Sequence, residues 1–311
     1  MSFVELDSTL RYGVYLISGI GLNLRNYKCI VNTRKKSSKL SPTGDQDACS
    51  SKLWFDVANR SLKSNYGLSY PAIPQRRYRE SWVDEHKRNI DKVVHSNASV
   101  VLLGDSLLNG LERFKRIWND FFVPRKTLNL SIGGDRTQNV LWRLQESNLP
   151  RTAQFLVILA GTNNCNFDRP KDIADGVVSI AMVALEMRPG LKVIILGLLP
   201  REIYNTLRRR ACIDVNFHIK RKVESGNLRG LYFLEPDNEW VISGSLKLNL
   251  KLYHTDFLHL SYEGNVKLAK SIINKIENLA VQKKSRRRRY IFCGLLSNLR
   301  MVFFAVNTGR L

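Results

Sequence analysis

Ser99-Val100-Val101-Leu102-Leu103-Gly104-Asp105-Ser106-Leu107 is the stretch of this 311-residue chain whose pattern points to the fold. An apolar run closed by a glycine predicts a buried strand over residues 99–103 that ends in a tight turn. A serine just past the carboxyl end of such a strand stands where open α/β sheets place their ligands. Ser106 is therefore a candidate nucleophile. Gly-Asp-Ser is also ordinary turn chemistry. The catalytic reading thus depends on a base, an orienting acid and oxyanion donors elsewhere in the chain.

Outward from this segment, apolar runs alternate with helical periodicity. Further strands are predicted at 127–130, 155–160, 192–197 and 231–234, with helices near 108–121, 136–146, 170–187, 202–225 and 261–280. Before the first strand, Ser81 to Val94 reads as a helix with Trp82, Ile90, Val93 and Val94 as its apolar positions. The last helix carries Val266, Leu268, Ala269, Ile272, Ile273 and Ile276 at helical spacing. Strands separated by helices predict an α/β fold: a three-layer α/β/α sandwich around a central parallel sheet of about five strands. No internal repeat stands out. Neither Gly-x-Gly-x-x-Gly nor a Walker pattern occurs, so nucleotide binding has no support.

The base and the acid lie far along the chain, in Thr255-Asp256-Phe257-Leu258-His259-Leu260. A serine hydroxyl is too weakly acidic to attack at neutral pH and needs an imidazole to take its proton. The imidazole needs an acceptor that fixes its tautomer and stabilises the imidazolium. An aspartate three residues earlier reaches under the ring within one turn of loop. Taken alone, the segment reads more plainly as a surface histidine, with Asp256 as N-cap of the next helix. Oxyanion donors have two sources. Ser131-Ile132-Gly133-Gly134-Asp135 ends a short apolar run, and a glycine there can turn its N–H toward a reacting centre because no Cβ blocks the approach. Gly161-Thr162-Asn163-Asn164 follows the run Phe155 to Ala160 and offers the Asn163 amide. The plainer alternatives are a tight turn at Gly133-Gly134 and an N-cap or Asx-turn at Asn163.

Ser106, Gly134, Asn163 and Asp256/His259 occur in that order, and the pattern resembles the SGNH (GDSL) hydrolase family, which has a flavodoxin-like fold. The resemblance is closer to one branch, the catalytic alpha subunits of intracellular type I platelet-activating factor acetylhydrolase. Supporting blocks are Tyr70-Pro71-Ala72-Ile73-Pro74, Ile132 to Thr137, Val140 to Leu144, Gly161 to Asn164, Leu196 to Arg201 and Asp256 to Leu260. They span about Tyr70 to Val281. Most of the family carries Gly-x-Asn-Asp in the third block, whereas this chain has Asn164 in the last place, as that branch does. The resemblance implies Ser106, Asp256 and His259 as the catalytic triad. It implies the N–H groups of Ser106 and Gly134, with the Asn163 amide, as the oxyanion hole. Leu107, Thr162 and Leu258 would narrow the acyl pocket toward acetyl. No metal and no cofactor are required. A short-acyl ester or acetylated phospholipid is the implied substrate, a homodimer or heterodimer the implied assembly, and a WD40 regulatory subunit the implied partner. Other SGNH activities, a carbohydrate acetylesterase or a lysophospholipase, remain alternatives, as does a non-catalytic partner-binding protein on the same fold.

Composition adds limits. Cys29, Cys49, Cys165, Cys212 and Cys293 are odd in number, widely spaced and without a C-x-x-C pair, which suggests neither a disulfide framework nor a zinc site. A reducing, cytoplasmic setting is expected, and the N-terminus carries no clear secretory signal. Two glycosylation sequons, Asn97-Ala98-Ser99 and Asn129-Leu130-Ser131, read as chance matches. The net charge is +22, of which residues 1–65 supply +5 and residues 283–311 supply +8. The expected organisation is a weakly ordered basic extension over 1–65, the hydrolase domain over 66–282 and a basic, then apolar tail over 283–311. Lys283 to Arg289 reads first as a solvated basic segment and second as a contact for anionic surfaces, membrane or nucleic acid. The apolar stretch from Tyr290 to Val306 is at the lower limit for spanning a bilayer and is interrupted by Asn298 and Arg300.

Overall fold

The computed structural model describes residues 69–226 and 228–281. Five strands, Val100–Gly104 (β1), Thr127–Asn129 (β2), Phe155–Leu159 (β3), Lys192–Leu196 (β4) and Leu231–Leu234 (β5), form one sheet in the order β2-β1-β3-β4-β5. Every pairing in it is parallel. Both β1 and β3 are buried along their whole length, which is why each reads as an unbroken apolar run rather than an alternating one. Gly104 is required where β1 ends, because a Cβ there would sit 2.1 Å from the Leu159 carbonyl oxygen. A larger residue would push β1 off β3 at the point where the chain must turn toward Ser106.

The principal helices are Glu80–Val94 (α1), Ser106–Asn109 (α2), Thr137–Ser147 (α3), Pro170–Met187 (α4), Leu207–Ser225 (α5) and residues 262–281 (α6). Parallel strands in this order need crossover connections, and the right-handed rule for such connections puts helices on both faces. On one face α4 lies between α3 and α5, and α1 packs on α3. On the other, α6 meets the segment that follows α2: Tyr262 is edge-on to Phe114 at 5.7 Å, and Glu277 pairs with Arg125. The fold is the expected three-layer α/β/α sandwich. Apolar side chains of β1, β3 and β4 form the centre of its core, with Val101, Leu102, Leu156, Val157, Val193 and Ile194 sealed from solvent.

Two elements depart from expectation. The helix predicted near 108–121 is a series of short turns, because Phe114 leaves the helical region at φ −94° and ψ 88° and Pro124 lacks an N–H donor. The helix predicted from residue 202 begins at Leu207. Glu202 takes a left-handed φ of 65°, and Thr206 caps α5 by accepting the Arg209 N–H at 3.3 Å. The expectations for residues 1–65 and 283–311, and for Cys29, Cys49 and Cys293, lie outside the described residues. Among the described residues no helix is long and apolar enough to cross a membrane.

Candidate active site

Ser106 is the first residue of α2, directly beyond the carboxyl end of β1. Asp105 caps this turn: its Oδ1 accepts the Leu107 N–H at 3.0 Å, and its carbonyl accepts the Asn109 N–H at 3.0 Å. The Asp105 side chain is fully buried, and its Oδ2 has no hydrogen-bond partner. Burial pushes this carboxyl up to about 7, against the opposing pull of the Leu107 N–H.

The segment carrying Asp256 and His259 is a tight loop closed on itself. Tyr253 and Leu260 form an antiparallel bridge, the His254 N–H donates to the His259 carbonyl at 2.8 Å, and Phe257 turns the chain with a left-handed φ of 54°. The Asp256 Oδ1 accepts the N–H groups of Leu258 at 3.0 Å and His259 at 2.9 Å. Its Oδ2 lies 2.6 Å from His259 Nδ1. On the far side of the ring, Nε2 lies 2.9 Å from Ser106 Oγ, joining residues 153 apart in sequence. Burial pushes the Asp256 carboxyl up, but the His259 ring and the two backbone N–H groups outweigh it and hold the group below its ordinary range. The alternative role for Asp256 as a helix cap falls to Ser261, whose Oγ accepts the Gly264 N–H at 3.1 Å at the start of α6.

The oxyanion candidates converge on the same place. Gly134 sits in the exposed turn after β2 with φ 76°, and a Cβ there would approach Arg77 Nη1 to 3.2 Å. A Cβ on its neighbour Gly133 would stand 3.9 Å from Ser106 Cβ, so this turn lies against Ser106. Asn163 Nδ2 donates one proton to the Asp135 carbonyl at 2.9 Å, which aims the carboxamide and leaves its second N–H without a partner among the described residues. Asn164 is fully buried and structural. Its Oδ1 accepts the Thr137 N–H at 3.0 Å, and its Nδ2 reaches Gln138 Oε1 at 3.0 Å and Asp168 Oδ2 at 2.8 Å. Of the three acyl-pocket candidates, Leu107 and Thr162 are buried and Leu258 is half-buried on the Asp256–His259 loop. A cavity of about 390 Å³ opens instead at the amino-terminal edge of β3 and β4, lined among others by Gln154, Phe155 and Lys192, and is remote from Ser106.

Sequence reading missed several polar residues behind this edge. Arg143 and Asp135 form an ion pair at 2.7 Å, with side chains 1% and 0% exposed. Burial raises the Asp135 carboxyl, while Arg143 and the Trp82 indole pull it down. Arg209 is buried and donates to the carbonyls of Arg201, Glu202, Ile203 and Leu246. Cys165 and Cys212, which looked unrelated, are buried free thiols with sulfurs 3.2 Å apart. The one local hint was Arg143 itself, a charge inside the apolar run of α3.

No protein-family model matches the chain. Among curated proteins it is similar to platelet-activating factor acetylhydrolase IB subunit alpha2 of Gallus gallus, 32% identical over 214 residues covering 67% of this chain and 89% of that protein. It is also similar to subunit alpha1 of Homo sapiens, 31% identical over 206 residues covering 66% of this chain and 87% of that protein. Among solved structures, a Bacteroides fragilis protein described as a candidate acylhydrolase superposes with a TM-score of 0.54 at 19% identity, over 65% of this chain and 99% of that one. A GDSL-like lipase from Bacteroides thetaiotaomicron superposes with a TM-score of 0.50 at 20% identity, over 64% and 97%. These two structural likenesses speak to the fold. The fold is that of the GDSL-type (SGNH) hydrolases, and the relatives are acetylhydrolase subunits. Within that class the chain belongs to the family of the platelet-activating factor acetylhydrolase IB alpha subunits.

Proposed function

We propose that the chain is a serine esterase that hydrolyses short-chain, acetyl-type esters through an acyl-serine intermediate. The observation that carries this reading is the continuous series Asp256–His259–Ser106, with contacts of 2.6 and 2.9 Å, at the carboxyl edge of the sheet. His259 Nε2 takes the Ser106 proton as Oγ bonds to the ester carbonyl carbon. The carbonyl electron pair moves onto oxygen, which is received by the N–H groups of Ser106 and Gly134 and the free N–H of Asn163. The tetrahedral species collapses with departure of the alcohol, which takes its proton from His259. Water then attacks the acyl-serine with His259 again as base, releasing the acid and restoring Ser106. Asp256 holds the Nδ1–H tautomer and stabilises the imidazolium without itself taking the proton.

Leu107, Thr162 and Leu258 are proposed to fill space beside the acyl group, which favours acetyl over longer chains. Apolar packing discriminates by only about 1–3 kcal/mol per methylene. The names of the relatives support an acetylated phospholipid as substrate. On the same reading the hydrolase domain covers residues 66–282, the protein works in the cytoplasm as a homodimer or heterodimer, and a WD40 subunit regulates it. The test is labelling with a fluorophosphonate, followed by p-nitrophenyl esters of increasing acyl length. Labelling at Ser106 and a steep fall beyond acetyl are expected. An unlabelled protein, or a Ser106→Ala variant with undiminished hydrolysis, would overturn the reading.

A further inference from the structure

The buried pair Arg143–Asp135 takes no part in the steps above, yet its contacts reach three separate blocks of the site. Arg143 Nη2 donates to the Gly104 carbonyl at 3.2 Å, two residues before Ser106, and Nη1 donates to the Leu130 carbonyl at 2.5 Å, just past β2. Asp135 follows Gly134 in the chain. Its Oδ2 accepts Arg143 Nε at 2.7 Å, its Oδ1 accepts the Trp82 indole N–H at 2.6 Å, and its backbone carbonyl is the acceptor that aims Asn163. The nucleophile turn, the glycine turn and the Asn163 amide are therefore tied to one ion pair.

Stability alone gives little reason for such a pair. Desolvation offsets much of the Coulomb gain, and a well-packed apolar group of similar volume often serves a core equally well. An apolar group does not donate to two carbonyls at two strand ends while holding a third carbonyl in place. Guanidinium geometry does this because its N–H donors are fixed in one plane. Oxyanion donors act only when held about 2.7–3.1 Å from the developing charge.

We infer that Arg143 and Asp135 are positioning residues that set the spacing between Ser106, the Gly134 N–H and the Asn163 amide. They govern the rate of acylation rather than substrate affinity. This rests on the acyl-serine reading of the site. Two variants test it. Arg143→Lys keeps the charge beside Asp135 but cannot reach all three acceptors. Trp82→Phe removes one donor to Asp135 while keeping the ring that packs on His86 and Trp142, each 5.7 Å away.

For both variants, kcat and KM are measured per fluorophosphonate-titrated site, well below the unfolding midpoint. Solvent exchange of the Asn163 carboxamide protons is followed by NMR. Expected are a fall in kcat of about 10–100-fold for Arg143→Lys and about 3–10-fold for Trp82→Phe, KM unchanged, and faster Asn163 exchange in each. A kcat and an exchange rate like the wild type's, even with a lowered midpoint, would mean that the pair is only structural; so would a change confined to KM. Should Arg143→Lys not fold, Trp82→Phe decides alone. Should the wild type neither label nor turn over, the acyl-serine reading fails, and Asn163 exchange by itself decides whether the pair holds that amide.

Discussion

Asp256 uses one carboxylate for two tasks, since Oδ1 closes its own loop through two backbone N–H groups while Oδ2 orients the His259 ring. An amide in its place accepts the same backbone bonds but no longer stabilises the imidazolium. Asp256→Asn is therefore expected to leave the fold intact and lower kcat by about 10²–10⁴, read by steady-state ester hydrolysis. Two other residues predict opposite pH slopes. His86 is buried between Trp82 and Trp142 with neither ring nitrogen bonded, and burial, with Arg143 and Arg76 nearby, lowers it from 6.5 to about 4. The unfolded chain then binds the extra proton first, so stability drops as pH falls from 6.5 toward 4. His86→Phe should remove a loss on the order of 2–3 kcal/mol from urea unfolding curves over that range. Asp105 runs the other way. With its carboxyl raised from 3.8 to about 7, the folded state holds the extra proton, and stability falls as pH rises through that interval. Asp105→Asn keeps an acceptor for the Leu107 N–H and should gain on the order of 2–4 kcal/mol over the wild type above pH 7, an advantage that fades toward pH 4. The candidate triad and oxyanion residues were legible because Ser106, Gly134 and Asn163 stand near successive strand ends and Asp256 precedes His259 by three residues, in the order that the family resemblance implies. The burial of His86 and Asp105 was not, because it is a property of the packed molecule.

Among the elements, the strands were read almost to the residue, and the connections between them were not. A strand buried on both faces must be apolar throughout, so β1, β3 and β4 announce themselves. The segment between β4 and α5 has no such signature, and its shape is set by Arg209. This guanidinium gathers carbonyls from Arg201 to Ile203 and from Leu246, and the Glu202 N–H in turn donates to the Phe257 carbonyl at 2.8 Å, between Asp256 and His259. Arg209→Lys loses most of these donors. It is expected to lower unfolding stability by about 2–4 kcal/mol and to speed amide hydrogen exchange around residues 201–206 and 254–259, measured by mass spectrometry. The tightest backbone approach predicts a larger effect. Gly104→Ala would place a Cβ against the Leu159 carbonyl, and a loss of about 3 kcal/mol or more in thermal unfolding is expected.

At the scale of the whole chain, the described residues form an α/β/α sandwich within a strongly basic sequence, and the two properties are expected to separate. A chain ending at residue 282 should keep kcat/KM unchanged, and should bind anionic vesicles no less than the full chain unless Lys283 to Arg289 acts as a contact rather than a solvated segment; sedimentation and ester hydrolysis on the same sample check both halves. Local chemistry in the sequence was enough for the class of fold, because strand and helix periodicities follow from which faces must be buried. The candidate nucleophile, base, acid and oxyanion donors were legible only as a set, because their order along the chain resembles the family's pattern while each segment by itself reads as ordinary turn or surface chemistry. Only the folded chain brings His259 to Ser106 across 153 residues, turns the Asn163 amide with the Asp135 carbonyl, and joins Arg143 to Gly104, Leu130 and Asp135. Those contacts are tertiary hydrogen bonds, partly buried at His259 and Asn163 and sealed from solvent at Arg143. Their geometry depends on how separate strand ends stack, and no local stretch of sequence carries that.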